Sequence, residues 1–356
     1  MDLDTVALAV RRLVEDGLAG RELTVVWHAG EPLVLPREYY EQAFDVIRDA
    51  AGDACSVSHS IQTNATLIDD RWCEFLQRSD VRLGISLDGP AAIHDLHRRT
   101  RSGKGTHAAV MRGVEALQRH GVRFHVIAVA TADALAEADA ICRFYVEHGM
   151  REVGFNFDEA EGVHAHSSLS GNEPSHRAFI DRMLELSIGL GDRFRVRELA
   201  YAYRLIADGL PSYVWQHEDF PDNAQTIPFA IVSVAWNGDF STFSPELLGQ
   251  PCAAFDNFIL GNVGRGSYLS CTSGDVFRRL WADVQAGVAA CRRSCVYFAH
   301  CGGGAPANKF YENASVASAE TLYCRAMIQR PFDAVLARLE TDLKLRPAAL
   351  HERGAA

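Results

Sequence analysis

The sequence lacks any apolar run approaching the roughly 20 residues that a membrane-spanning helix needs. Its N-terminus has no basic leader before an apolar stretch and no small-residue cleavage site, so no secretory signal is predicted. It also lacks a basic excess, since 35 Lys and Arg face 46 Asp and Glu and the net charge is −11. A nucleic-acid binder needs a surface that offsets phosphate charge. We therefore expect a cytoplasmic protein with neither a membrane nor a nucleic-acid partner.

The composition is that of an ordinary globular protein, with 48% hydrophobic and 23% charged residues in a chain of 356. This length allows one large α/β domain and a smaller second unit. Nine cysteines are present. In the reducing cytoplasm such thiols serve metals or catalysis more often than disulfides.

The first half of the chain alternates between two kinds of segment. Apolar runs lie at 23–31, 55–65, 81–89, 124–131 and 152–157, and helix-period stretches lie at 36–50, 69–77, 106–121 and 132–149. This alternation predicts βαβ units and a parallel sheet, in either a barrel or an open doubly wound form. Further helices are predicted at 173–190 and about 196–209, and another near 275–290.

Polar residues follow four successive predicted strands. They are Glu31, then Gln62 to Asn64, then Ser86 to Gly89, and finally Asn156 to Asp158. Each group alone fits a turn or a helix cap. Because loops after the carboxyl ends of parallel strands build active sites, the four together predict one shared site.

Five of the nine cysteines fall between positions 271 and 324. Cys291, Cys295 and Cys301 have the spacing C-x3-C-x5-C, three glycines follow, and Cys324 comes later. Four such thiols suit tetrahedral zinc or an iron–sulfur cluster, and spacing alone leaves both open. Cys55, Cys73 and Cys142 are predicted to be packing residues, and Cys252 and Cys271 remain ambiguous.

Several ordered segments resemble the radical S-adenosylmethionine (SAM) enzymes that carry a SPASM-type auxiliary cluster domain. "HAGEP" (28–32) is similar to the family's G-G-E-P motif and "QTNATLI" (62–68) to its Q-T-N-G-T-L strand end. "GISLDGPAAIHDLHRRTRSGKGTH" (84–107) is similar to its fourth-strand segment, and "CRRSCVYFAHCGGG" (291–304) with Cys324 resembles the SPASM cysteine region. The resemblance covers about residues 22 to 345.

This resemblance implies an α/β fold, namely a partial (β/α)6 TIM-like barrel that lacks its first strand, followed by a partial SPASM domain. The implied division is 1–160 for the partial barrel, 161–227 for a helical remainder and linker, 228–330 for the SPASM-like domain and 331–356 for a C-terminal helix and tail. Gly30 and Glu31 would bind the SAM amino group, and Ser86 and Arg98 its carboxylate or ribose. Asn64 and Asp88 are further candidates that could instead cap turns. One auxiliary [4Fe–4S] cluster would be held by Cys291, Cys295, Cys301 and Cys324.

Within the family, the chain most resembles cyclophane-forming maturases of ribosomally made peptides. The implied reaction is hydrogen abstraction from a side-chain carbon followed by a crosslink, with a precursor peptide and an electron donor such as flavodoxin or ferredoxin as partners. An anaerobic sulfatase-maturating activity is an alternative. Two others are a cluster-less protein that binds peptide or SAM, and a zinc-stabilised TIM-like hydrolase. The basic run "HRRTRSGK" (97–104) is either a solvated loop or a face for an acidic leader peptide.

The sequence departs from the family pattern in three places. The C-x3-C-x2-C loop that holds the SAM-cleaving cluster is absent, and we interpret this as a truncated N-terminus, so the chain by itself should not cleave SAM. Phe243-Ser244 stands where sulfatase-maturating relatives have Cys-Asp, so no catalytic base is assigned. Ala305 stands where a fuller SPASM domain has a further cysteine, which implies a single auxiliary cluster.

Overall fold

The computed structural model describes residues 1–28, 30–162, 164–207 and 223–342. Its central element is a six-stranded sheet in which every neighbouring pair is parallel and the strand order follows the chain. Its strands are β1 Glu22–Trp27, β2 Ser56–Thr63, β3 Val81–Ser86, β4 Phe124–Ala130, β5 Glu152–Phe157 and β6 Arg195–Val196. Helices connect the strands, as expected for parallel pairs, which cannot be joined by tight hairpins.

Two helices of this part begin at aspartates whose side chains cap the first turn. The Asp2 side chain accepts a hydrogen bond from Thr5 N at 2.7 Å, and the Asp69 side chain accepts one from Trp72 N at 2.9 Å. The helices are α1 Leu3–Glu15, α2 Arg37–Ala51, α3 Asp70–Leu76, α4 Ala91–His97, α5 His107–Arg119, α6 Ala138–Glu147, α7 Glu173–Leu190 and α8 Arg197–Ala207. Within the described ranges, no helix combines the length and apolarity needed to cross a bilayer.

The sequence prediction of a parallel α/β sheet is confirmed, with differences at the ends of elements. The strand predicted at 81–89 ends at Ser86. Beyond it the Asp88 side chain accepts a hydrogen bond from Val129 N of β4. The helix predicted at 132–149 begins only at Ala138, after a short 3-10 turn. β6 was not predicted, because two residues are too few to show a period. Positions 208 and 209 of the helix predicted at about 196–209 lie outside the described residues.

One hydrophobic core joins the sheet to helices from distant parts of the chain. Ile61, Ile85 and Phe155 are almost fully buried between strands and helices. The same core includes Phe179 of α7 and residues near 326–335. Residues 164–207 therefore pack on the same core as the sheet.

The C-terminal part has its own small sheet and core. β7 Val232–Val234, β8 Asp239–Thr242 and β9 Gly261–Asn262 are antiparallel. Its core is built around Phe243, Phe258 and Leu280, each with no exposed area. The helices of this part are α9 Asp275–Ser294, α10 Phe298–Cys301, α11 Pro306–Asn313 and α12 Leu322–Cys324. The last helix, α13 Arg330–Asp342, packs on the core of the six-stranded sheet.

The first helix is attached to the C-terminal part. The Asp16 carboxylate accepts hydrogen bonds from Ser267 Oγ at 2.6 Å and from Tyr268 N at 2.7 Å. The Tyr268 hydroxyl donates to Ala9 O at 3.1 Å, and its ring is buried. Asp16 and Ser267 are 251 positions apart in the chain, so this contact joins its beginning to its C-terminal part.

Candidate functional site

A polar cavity of about 290 Å³ opens at the carboxyl ends of β1, β2 and β3. This volume is close to the lower limit of ordinary small-molecule sites, roughly 300 Å³. The cavity is lined by His28, Gly30, Glu31, Gln62, Thr63, Asn64, Ser86 and Arg98. Polar groups from three of the four predicted strand ends therefore face one space. The fourth group, Asn156 to Asp158 after β5, does not line this cavity.

Glu31 joins the ends of β1 and β2. Its Oε1 accepts hydrogen bonds from Thr63 Oγ1 at 2.5 Å and from Leu33 N at 3.0 Å, and its Oε2 accepts one from Asn64 N at 2.7 Å. A carboxylate offers about four acceptor positions, so these three bonds leave one for a ligand. The preceding Gly30 has a φ of +68°, a conformation that favours glycine, and a Cβ there would meet no atom within 4 Å.

Gln62 and Ser86 form the floor between β2 and β3. Gln62 Nε2 donates to Ser86 Oγ at 3.0 Å. The neighbouring residue in β3 is Gly84, where a Cβ would lie 2.1 Å from Gln62 Oε1 and 2.8 Å from His125 Nε2. Glycine at position 84 is therefore required for Gln62 to reach Ser86.

Arg98 is held at the cavity by Asp88. Its Nη2 donates to Asp88 Oδ1 at 2.9 Å, and its Nε donates to Oδ2 in a short second bond. Asp88 Oδ1 also accepts from Val129 N at 2.8 Å. Asp88 is 6% exposed, whereas the Arg98 side chain is 28% exposed. The pair fixes the guanidinium in a bidentate geometry while leaving part of it open to the cavity.

A buried histidine supports this pair from behind. His94 Nδ1 accepts from Asp88 N at 3.2 Å, so the neutral ring carries its proton on Nε2 and donates to Thr106 Oγ1 at 3.0 Å. Thr106 Oγ1 in turn donates to Arg98 O at 3.0 Å. Burial lowers the pKa of His94 to about 4, which keeps the ring neutral near pH 7.

The structure thus brings the six residues predicted to bind the cofactor to one location. Five of them line the cavity, and Asp88 lies behind Arg98. Asn64 also caps a turn, which was the alternative role predicted for it, because its Oδ1 accepts a hydrogen bond from Thr66 N at 3.0 Å. Gln62 and Thr63 were recognised in the sequence only as neighbours of Asn64, and His28 was not singled out.

The four candidate ligand cysteines come from three separate segments. Cys291 lies in the last turn of α9 and Cys295 follows that helix, while Cys301 ends α10 and Cys324 ends α12. Gly302, Gly303 and Gly304 all have positive φ, and a Cβ on Gly303 would lie 3.1 Å from Val288 Cα. The glycine run therefore lets the backbone fold closely around α9. Cys73 and Cys142 are buried packing residues, as predicted.

These thiols share one electrostatic environment. Burial raises the pKa of Cys301, while the N–H groups of Gly303 and Gly304 oppose this shift by hydrogen bonding to the sulfur. Burial also raises the pKa of Cys324 to about 11, and the charges of Cys301 and Cys295 add to the effect.

Lys309 is buried among the same cysteines, with 3% of its surface exposed. Burial lowers its pKa, whereas interactions with Cys291, Cys301 and Cys324 raise it. Lysine is almost never fully buried without a partner of opposite charge. Cys291, Cys301 and Cys324 lie beside it, and they would carry the opposite charge as thiolates bound to a metal cluster.

Within the described ranges, no three His, Cys, Asp or Glu side chains are arranged to hold a single metal ion. The chemistry of the donor set nevertheless fits an iron–sulfur cluster. Four thiols influence one another electrostatically, backbone N–H groups point at a sulfur, and a buried cation lies beside them.

A second group of ionisable residues was not predicted. Glu159, just beyond β5, accepts a hydrogen bond from Asn308 Nδ2 of α11. Burial raises the pKa of Glu159 to about 7, Asn308 opposes the shift, and the charges of Glu161, Glu246 and Glu312 add to it. Glu159 and Asn308 are separated by 149 positions, so no sequence spacing indicates their contact.

Comparison with known proteins adds a family match and several relatives. The radical SAM superfamily profile matches residues 2–144. The chain is 40% identical over 352 residues to the uncharacterised protein sll1766 of Synechocystis sp., covering 97% of this chain and 86% of that protein. It is 36% identical over 155 residues to the serine-type anaerobic sulfatase-maturating enzyme of Klebsiella aerogenes, which is 43% of this chain and 38% of that enzyme.

The overall structure is similar to that of anSMEcpe with bound AdoMet. The TM-score is 0.72 at 20% sequence identity, and the alignment covers 97% of this chain and 90% of that chain. The same protein with AdoMet and the Cp18Cys peptide gives a TM-score of 0.70 at 18% identity. At this level of identity, the match establishes a shared fold.

Proposed function

The chain belongs to the radical SAM superfamily, and from this premise we propose that it binds SAM in the cavity at the ends of β1, β2 and β3 and modifies a peptide. The convergence of Gly30, Glu31, Ser86 and Arg98 on one polar cavity is the observation that carries the proposal. When bound, the cofactor would supply abstraction of a hydrogen atom from the substrate. That chemistry also needs the SAM-cleaving cluster, whose C-x3-C-x2-C loop is not among these 356 residues.

The charges of the cavity suit SAM. The amino-acid part of SAM carries an ammonium and a carboxylate, and Glu31 and Arg98 offer the complementary charges. Glu31 has one acceptor position left after its three internal bonds. Because Asp88 already balances Arg98, the site has an excess of negative charge. That excess favours the cationic sulfonium.

The cysteine group would hold one [4Fe–4S] auxiliary cluster through Cys291, Cys295, Cys301 and Cys324. The buried charge of Lys309 and the N–H groups around Cys301 would stabilise the negative charge of thiolate ligands. Residues of this kind tune the ease with which such a cluster accepts an electron. An external donor such as flavodoxin or ferredoxin would supply reducing electrons.

The substrate we propose is a ribosomally made peptide that receives a side-chain crosslink. A peptide ligand is supported by the shared fold with anSMEcpe, whose structure contains the Cp18Cys peptide. Sulfatase maturation is the alternative, favoured by the identity to the Klebsiella enzyme.

Phe243 and Ser244 argue against that alternative. Phe243 is fully buried, and Ser244 Oγ donates to Gln225 Oε1 at 2.8 Å and accepts from Ala307 N at 3.1 Å. Phe243 therefore serves packing and Ser244 serves internal hydrogen bonding, and neither offers a carboxylate as proton acceptor.

Cofactor binding is tested by calorimetry on the anaerobically reconstituted protein, with ATP as a control ligand. We expect saturable SAM binding, with iron and acid-labile sulfide in the ratio of one cluster. Absence of SAM binding would contradict the proposal. Zinc without iron or sulfide would favour the hydrolase reading.

The reaction is tested in cells that express the gene and its neighbouring small open reading frames from the genomic locus. We expect a peptide lighter by two hydrogen atoms, with a crosslink that resists fragmentation. A product that reacts with hydrazine would instead indicate an aldehyde and therefore sulfatase-type maturation. Peptide binding with no change of mass would favour a binding protein.

A further inference from the structure

A basic hairpin, residues 97–105, projects beside the cavity. It contains His97, Arg98, Arg99, Arg101 and Lys104 and no acidic residue, in a chain whose net charge is −11. Such local concentration of one charge is unexpected in a protein that is acidic overall. The feature is not used by the site described above, apart from Arg98 at its base.

The hairpin has a defined shape. Arg99 and Gly105 form an antiparallel bridge, Thr100 N donates to Lys104 O at 2.8 Å, and Gly103 N donates to Thr100 O at 2.9 Å. Thr100 Oγ1 also accepts from Lys104 N at 3.1 Å. These bonds order the backbone, so little backbone entropy is lost when a ligand binds.

The base of the hairpin is attached to the cavity. Thr106 N donates to Arg98 O at 3.2 Å, which closes the hairpin at a cavity-lining residue. Beneath it, the Asp95 side chain accepts from His107 N at 2.9 Å. A Cβ on Gly105 would lie 2.1 Å from the Asp95 carboxyl carbon, so this attachment has no room for a larger residue.

The outer cations have no acidic partners in the described part of the chain. Arg98 is paired with Asp88, whereas Arg99, Arg101 and Lys104 form no ion pair with any described carboxylate. All three are exposed. Arg99 Nε donates to Asp95 O at 2.8 Å, which orients its guanidinium without neutralising it. Leu96, which is 45% exposed, lies in the helix that leads into the hairpin.

We propose that the basic hairpin binds an acidic segment of the peptide substrate and so directs the adjoining residues into the cavity. This inference rests on the proposed function. The hairpin carries three uncompensated cations, whereas the rest of the protein is acidic and repels the same peptide. Recognition of an acidic segment would then depend on this surface and would fall as salt screens the charges.

The test measures binding separately from chemistry. A fluorescein-labelled alternating Glu-Gly peptide and its Gln-Gly analogue are titrated with the full chain at low and high salt by fluorescence anisotropy. The test variant is Arg99→Ser/Arg101→Ser/Lys104→Ser. The matched control Arg48→Ser/Arg119→Ser/Arg177→Ser removes the same charge at exposed positions on other helices.

We expect the Glu-Gly peptide to bind more tightly than the Gln-Gly peptide, and to bind the hairpin variant about tenfold more weakly than the wild type, since each exposed ion pair contributes modestly. The control variant should bind within about twofold of wild type, because its positions lie off the hairpin. Equal binding of the two peptides, or equal loss in both variants, would overturn the proposal. Tighter binding of a short single-stranded RNA than of the Glu-Gly peptide would also overturn it.

SAM affinity is measured on the same samples. The hairpin variant should bind SAM like the wild type, because its three altered residues do not line the cavity. If the wild type did not bind SAM, the proposed function would be refuted, whereas the measured binding of the Glu-Gly peptide would still stand. Failure of the peptide result with normal SAM binding would refute only the role of the hairpin.

Discussion

Replacing Glu31 with glutamine tests the hydrogen bonds that organise the cavity. The side chain keeps its size but loses one oxygen. If the remaining oxygen accepts from Thr63 and Leu33, the new NH2 group faces Asn64 N, where a carboxylate oxygen now accepts at 2.7 Å. In the opposite orientation, the NH2 group faces two donors. Either way, at least one main-chain or hydroxyl donor loses its partner.

The expected magnitudes follow from these contacts. A buried donor left without a partner costs about 1–3 kcal/mol. With a shift of about 2–4 °C per kcal/mol for a large domain, the melting temperature should fall by roughly 5 °C. A SAM ammonium would also lose a charged acceptor, worth about 1.5–3 kcal/mol. The dissociation constant of SAM should therefore rise by roughly 10- to 100-fold.

Calorimetry with SAM and thermal unfolding measure the two effects separately. Glu41→Gln is the control, because this residue is 47% exposed on α2 and its ion pair with Arg37 is a surface one at 3.2 Å. If Glu31→Gln lowered stability without changing SAM affinity, the residue would only hold the strand ends together. If neither quantity changed beyond the control, the reasoning on both roles would be wrong.

Three further substitutions test other parts of the structure. Asp88→Asn should weaken SAM binding about tenfold, because Arg98 loses its charged partner. The circular dichroism spectrum should not change, because Val129 N keeps an acceptor. Undiminished SAM affinity would contradict the role of Asp88 in holding Arg98. Glu159 has a folded pKa of about 7, raised from 4.5, so wild-type stability falls as pH rises between these values. Glu159→Gln should therefore be more stable than wild type at about pH 8 and lose this advantage at about pH 5 in urea unfolding; a pH-independent difference would refute the assignment. Lys309→Met should make the reduction potential of the proposed auxiliary cluster more negative in titrations followed by electron paramagnetic resonance. An unchanged potential at equal iron content would count against the role of this charge.

The sequence placed three of the four strand ends in one site correctly because the physical signal there is local. Apolar runs that end in polar residues mark the point where a buried strand reaches solvent, and parallel strands place these ends on one edge. For this reason Glu31, Asn64 and Ser86 could be assigned to one cavity before their contacts were known. The role of Asp88 behind Arg98 is less local, since it depends on the turn of the hairpin.

The remaining features depend on contacts between distant segments. Lysine is normally exposed, and only the arrival of cysteines from three segments explains why Lys309 is buried. The shifted pKa of Glu159 likewise depends on α11. β6, with two residues, carries no period at all. Such features can be found only once the fold brings the segments together.

The contact between α1 and Tyr268 also constrains how the protein is made. A ribosome adds roughly 5–20 residues per second, so the approximately 250 residues between these partners take about 10–50 s to synthesise. During that interval α1 can pack on α2, but the apolar surface that later covers Tyr268 stays exposed. The newly made chain therefore passes through a stage in which chaperones can bind its first helix and proteases can cleave it. Completion of the C-terminal part ends that stage.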